Sequence, residues 1–189
     1  MTVHTMLTLA RLEQPPELQG TDTTRRACSL RDVVEEAVHQ SRALAELKYV
    51  DIKVKIEADL QVPIGRRDAL LLCSNVLINA LQHSPARSSI AVQVITEGEQ
   101  VRLTVRDEGE GIVNEDRPYL FEPFYRGDPS RSRKSGGTGL GLSICKAICE
   151  RAGGSIQISN AATAGALVTI TLPAHPVALD RAKSASIES

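Results

Sequence analysis

The sequence predicts an α+β fold, a two-layer α/β sandwich with a mixed sheet and helices on one face. Two observations carry that expectation. Segments of helical and strand period alternate in the order helix, strands, helix, strands, long loop, helix, strands. The 189 residues, 42% hydrophobic and 24% charged, suffice for one well-buried core plus an appendage.

At residues 3–12, Val3, Met6, Leu7 and Ala10 recur at helical spacing, and the pattern stops before Pro15 and Pro16. This predicts a short N-terminal helix with one apolar face, within residues 1–14. Residues 15–28 are polar and turn-rich and are expected to form a linker. The main domain is expected over residues 29–173. Ser29 offers an N-cap with Asp32 three positions on, and Leu30, Val33, Val34, Ala37, Val38 and Leu44 follow at helical period.

Alternation at 50–56 predicts a half-buried strand, with a shorter extended piece at 60–62. A second helix is expected at about 66–83, ended by Ser84-Pro85. Strands at 89–95 and 101–106 follow across a turn at 96–99. Residues 107–138 are rich in Gly, Pro, Arg and Ser and form a loop longer than a compact domain holds without a functional reason. A third helix at 140–151 ends at Gly153-Gly154, and strands at 155–159 and 167–172 close the domain at Pro173. Residues 174–189 are small and polar and are expected to be disordered.

The net charge of −1 gives no global attraction to nucleic acid or to an anionic membrane. No apolar run approaches the roughly 18–20 residues that a membrane span needs, and residues 1–11 lack a leader pattern. The expected location of this piece is therefore cytoplasmic. Cys28, Cys73, Cys145 and Cys149 form no C-x-x-C pair and sit in or beside apolar helical patterns, as buried free thiols do. Cys145 and Cys149 lie one helical turn apart, but no further ligands complete a metal site.

Three features carry chemistry. In the second helix Leu71, Leu72, Val76, Leu77 and Leu81 point inward, while Asn75, Asn79 and Gln82 or His83 share another stripe. A carboxamide offers oxygen to a hard cation such as Mg²⁺ and an NH₂ donor to a phosphate; an ordinary solvated helix face would also accept two asparagines. At the end of the strand at 101–106 stands Asp107-Glu108-Gly109-Glu110-Gly111-Ile112. A fixed carboxylate there can accept from an exocyclic amine, and the glycines admit a flat base such as adenine, although turns use the same residues. Last comes Gly136-Gly137-Thr138-Gly139-Leu140-Gly141 at the start of the third helix, where backbone N–H groups can hold phosphates. There is no Gly-Lys-Ser/Thr, so the P-loop pattern is excluded. No early strand feeds a glycine-rich turn, which excludes a dinucleotide fold.

In this order, the three features resemble the N, G1 and G2 boxes of the histidine-kinase, gyrase and chaperone ATPase superfamily. Leu120-Phe121-Glu122-Pro123-Phe124-Tyr125-Arg126 resembles the F box of sensor histidine kinases. The resemblance covers about 29–173 and implies a Bergerat-type ATP-binding fold with ATP and Mg²⁺ as cofactors. It implies that Asn79 coordinates Mg²⁺, with Asn75 assisting at the metal and phosphates, and that Asp107 binds the adenine amino group. Gly109, Gly111 and Ile112 would frame the base, with His83 against its ring. Arg126 would reach the γ-phosphate, and Gly137, Thr138, Gly139, Leu140 and Gly141 would wrap the phosphate tail. Gln82 stands where the family often has Lys or Arg. Arg126, Arg131, Arg133 and Lys134 can compensate from a segment able to close as a lid.

Hydrolases and serine kinases of this superfamily place a Glu one turn before the metal-binding Asn. Here that position is Asn75, whose amide accepts no proton at neutral pH. A neutral imidazole is already nucleophilic, so the resemblance implies a protein-histidine kinase of two-component signal transduction. None of His4, His39, His83 and His175 sits in the family's phosphoacceptor pattern, whereas residues 6–13 resemble the end of the second helix of the dimerisation hairpin. The expectation is a sensor kinase truncated before its acceptor, with ATP binding intact and no self-phosphorylation. Its implied partners are the phosphoacceptor helix of a kinase and a downstream response regulator, with the full-length parent anchored in the inner membrane. A slow ATPase and a non-catalytic nucleotide-binding regulatory module are the alternatives.

Overall fold

A computed structural model of the chain describes residues 27–57, 60–127 and 138–174. Among these, the elements run β1 (Cys28–Ser29), α1 (Leu30–Lys48), β2 (Asp51–Ile56), β3 (Gln61–Val62), α2 (Arg66–His83), β4 (Ser89–Glu97) and β5 (Gln100–Arg106). After a 3₁₀ turn at Arg117–Tyr119 come α3 (Gly141–Arg151), β6 (Ser155–Asn160) and β7 (Ala166–Pro173). The short N-terminal helix and the lid cations Arg131, Arg133 and Lys134 lie outside the described residues.

The main sheet has the order β2-β4-β5-β7-β6. β2 pairs parallel with β4, and the other pairs are antiparallel, so the sheet is mixed. Its register lines up a complete apolar row, Ile56, Val94, Leu103, Ile170 and Ile156, on one face. Because side chains alternate between faces, the neighbouring row of Lys55, Gln93, Thr104, Thr169 and Gln157 lies on the other. The apolar face shares one core with Leu72, Val76, Leu77 and Leu81 of α2, Val33 and Ala37 of α1, and Ile144 and Ile148 of α3. This is the two-layer sandwich with helices on one face.

Local chemistry explains the helix ends. Ser29 accepts from the Asp32 N–H at 3.1 Å and caps α1. Tyr49 ends that helix in the left-handed region at φ 56°, a place more often taken by Gly or Asn. Lys48 Nζ donates to the Leu81 and Gln82 carbonyls, placing a cation on the unsatisfied end of α2. The half-buried Arg151–Asp68 pair ties the end of α3 to the start of α2.

Two boundaries differ from the sequence expectation. Cys28, assigned to the linker, pairs with Val62 in β1–β3 and is buried. Ala174, assigned to the tail, packs against the core and donates its N–H to the Glu99 carbonyl at 2.8 Å. A two-residue strand is too short to show a period, so neither β1 nor its ladder could be recognised from alternation.

Candidate functional site

The C-terminal half of α2, the loop after β5 and the start of α3 converge at one end of the sheet. Asn75 and Asn79 are half-buried on α2. Gly141 opens α3 so close to Asn75 that a Cβ at 141 would stand 3.3 Å from Asn75 Oδ1. On the other side, a Cβ at Gly109 would meet the His83 carbonyl oxygen at 2.5 Å. The contact at Gly109 needs glycine, the one at Gly141 is tight, and together they bring the loop and the helix start against α2.

Asp107 is 4% exposed. Its Oδ1 accepts from the Gly109 N–H at 2.8 Å and the Ala166 N–H at 3.0 Å. Both backbone donors fall on one oxygen, which holds the carboxylate and leaves Oδ2 outside these two bonds. Its neighbour Glu108 turns away: the carboxylate accepts from both the N–H and the hydroxyl of Ser89 at 3.0 Å. Those two bonds, the backbone one first, hold Glu108 below the usual carboxylate range.

The side of the candidate site between α2 and α3 has two notable features. Asn75 Nδ2 is buried with no hydrogen-bond partner among the described residues, an arrangement that costs free energy unless a ligand accepts from it. No side chain caps α3 at Leu140, so its first-turn amides face the same region without a side-chain acceptor. Leu140 itself is fully buried, and its carbonyl accepts from Ser143 and Ile144. Its side chain anchors the helix start. The Leu140 N–H makes a long bond of 3.4 Å to Thr138 Oγ1.

The aromatic segment is fastened to the glycine loop. The Phe124 N–H donates to the Gly139 carbonyl at 2.9 Å. Both residues are left-handed, φ 65° and 73°, and a Cβ at Gly139 would press on Phe124 backbone atoms from 2.8 Å. Tyr125 donates to Asp116 at 2.7 Å and stacks at a tilt on Tyr119, while Arg126 is exposed. His83 is exposed and Gln82 half-buried; the backbone of His83, through its carbonyl, is what meets the loop. Gly137 lies outside the described residues.

The model for histidine kinase-, DNA gyrase B- and HSP90-like ATPases matches residues 65–176, more than half of the chain. The chain belongs to this family. Sensor histidine kinase RppB of Synechocystis is 34% identical over 173 residues, covering 91% of this chain and 37% of RppB. SenX3 of Mycobacterium tuberculosis is 31% identical over 172 residues, 88% of this chain and 41% of that protein. The chain thus spans well under half the length of these relatives, and what it shares with them is the ATPase domain. Among solved structures, the mycobacterial sensor histidine kinase MprB superimposes with a TM-score of 0.71 at 25% identity, over 80% of this chain and 99% of that one.

Two residues that contact the candidate site carry no motif in the sequence. Gly165, at φ 86°, lies so close to Asp107 that a Cβ would stand 2.0 Å from the Asp107 carbonyl oxygen. Asn160 bonds both backbone groups of Ile112. The only sequence signal was a small-residue turn, Ala161-Ala162-Thr163-Ala164-Gly165, which looks like any β-hairpin connection. All four cysteines are buried free thiols, and among the described residues no helix is long and apolar enough to cross a membrane.

Proposed function

We propose that this ATPase domain binds Mg²⁺–ATP and donates the γ-phosphate to a histidine on a dimerisation and phosphotransfer domain. Asn75 carries the assignment. Its buried Nδ2 lacks an acceptor and lies beside the uncapped start of α3, as a donor meant for a phosphate oxygen would. The same amide cannot take a proton from water, so the residue one turn before Asn79 is no hydrolytic base.

The donor set fits the metal: Asn79 offers a hard amide oxygen one turn beyond Asn75. When bound, Mg²⁺ neutralises charge on the phosphates. Asp107 Oδ2 accepts from the adenine amino group, Gly109 and Gly111 admit the base, and Ile112 covers it, with His83 at its edge. The backbone amides of Gly139, Leu140 and Gly141 leading into α3, with Thr138 and Gly137, hold the phosphates, and Arg126 balances charge on the γ-phosphate. The domain supplies positioning and electrostatic stabilisation, which is what phosphoryl transfer requires. Phosphate then passes to a response regulator, in a protein whose catalytic domain works in the cytoplasm.

Titration calorimetry of the protein with an ATP analogue and Mg²⁺ tests the pocket. Asp107→Asn keeps an oxygen for the two backbone donors but places an NH₂ group where the base donates. It is expected to weaken binding by at least about tenfold. Equal affinity in the two proteins, or no binding by either, overturns the assignment.

A further inference from the structure

The first and last residues of the segment 107–112 are held by one strand pair. Asn160 of β6 and Ala166 of β7 face each other in register. Ala166 uses both backbone groups on Asp107, accepting from the Asp107 N–H at 3.1 Å and donating to the side-chain Oδ1 at 3.0 Å. Asn160 grips the other end with its side chain. Its Oδ1 accepts from the Ile112 N–H at 2.6 Å, and its Nδ2 donates to the Ile112 carbonyl at 3.0 Å.

The Asn160 carboxamide therefore does for Ile112 what a neighbouring strand would do: it satisfies donor and acceptor together. The sequence of the loop is arranged around it. Gly111 is left-handed at φ 78°, and a Cβ there would stand 2.8 Å from Asn160 Oδ1, so a side chain at 111 would push the amide off its partner. The hairpin itself is closed by the Ala161 N–H donating to the Gly165 carbonyl at 2.9 Å.

From this geometry we infer that Asn160 is a positioning residue for base recognition: by pinning Ile112 it fixes the end of the segment that Asp107 begins. The inference rests on the proposed adenine site, and it adds a residue outside the four boxes. It is specific in what it affects. The pinned segment faces the base, whereas the phosphate region is built from α2 and α3, and the Asn160 side chain bonds Ile112.

Asn160→Ala removes the clamp. Asn160→Asp keeps the size and one acceptor but sets an oxygen against the Ile112 carbonyl, where two acceptors repel. The affinity of each protein for a fluorescent ADP derivative is measured first, and tripolyphosphate, which has no base, is then used to displace it. Urea unfolding of the unliganded proteins follows stability. Both variants are expected to bind the ADP derivative about 5–20-fold more weakly, with the tripolyphosphate inhibition constant within about twofold of the parent. Unchanged ADP affinity, or equal weakening for both ligands, overturns the role of Asn160 while leaving the site in place. Absence of ADP binding by the parent protein overturns the site and the inference together.

Discussion

The backbone N–H of Ala166 donates to Asp107 Oδ1 at 3.0 Å, and the N–H of Asp107 donates back to the Ala166 carbonyl at 3.1 Å. The buried carboxylate is thus oriented by the start of the last strand, far along the chain. Gly165 makes the approach possible.

Replacing Gly165 with Ala is expected to be severe. The new Cβ would collide with the Asp107 carbonyl oxygen, at 2.0 Å, and φ of 86° is strained for any L side chain. A loss of about 2–4 kcal/mol in urea unfolding is expected, together with weakened nucleotide binding. A variant as stable as the parent, binding equally well, would show that the Ala166–Asp107 contact is dispensable.

Ser29→Ala should separate stability from function. It removes the side-chain cap on α1, at the opposite end of that helix from the contact between Lys48 and α2. About 1 kcal/mol of stability is expected to be lost, with nucleotide affinity within about twofold of the parent. A large loss of affinity would mean that α1 shapes the pocket directly.

Much of this arrangement was legible in the sequence, for identifiable reasons. α2 runs from Arg66 to His83 as the apolar period and Ser84-Pro85 predict, and Ser29 caps α1 as its spacing with Asp32 predicts. Asp107 and Gly141 stand at element ends, where strand and helix periods stop. What stayed hidden depends on contacts between distant segments. Phe124 meets Gly139 through backbone atoms, Asn160 meets Ile112 across 48 residues of chain, and Cys28 joins a ladder two residues long. No local period records such contacts. Tyr49, Arg87 and Phe124 adopt left-handed conformations without the glycine or asparagine that would announce them.

The cysteines give a pH dependence with a definite sign. Burial pushes the Cys73 and Cys149 thiols up to about 12, and Cys145 also moves well above its ordinary value. In the unfolded chain these thiols ionise near 9.0, so from there upward the unfolded state sheds protons that the folded state retains. Their contribution is fully present below pH 9 and is lost as pH rises toward 12. The urea midpoint should fall from pH 8 to pH 10, and a thiol reagent at pH 8 should find Cys73, Cys145 and Cys149 only after unfolding. Rapid labelling of these three in the native protein would contradict their burial.

The destination of the phosphate is tested most directly by incubating this chain with γ-labelled ATP, Mg²⁺ and a separately supplied dimerisation hairpin carrying the phosphoacceptor histidine of a sensor kinase. The account expects acid-labile, alkali-stable phosphate on the hairpin, abolished by Asn79→Ala. Release of inorganic phosphate with none on the hairpin would contradict it and mark the domain as a hydrolase.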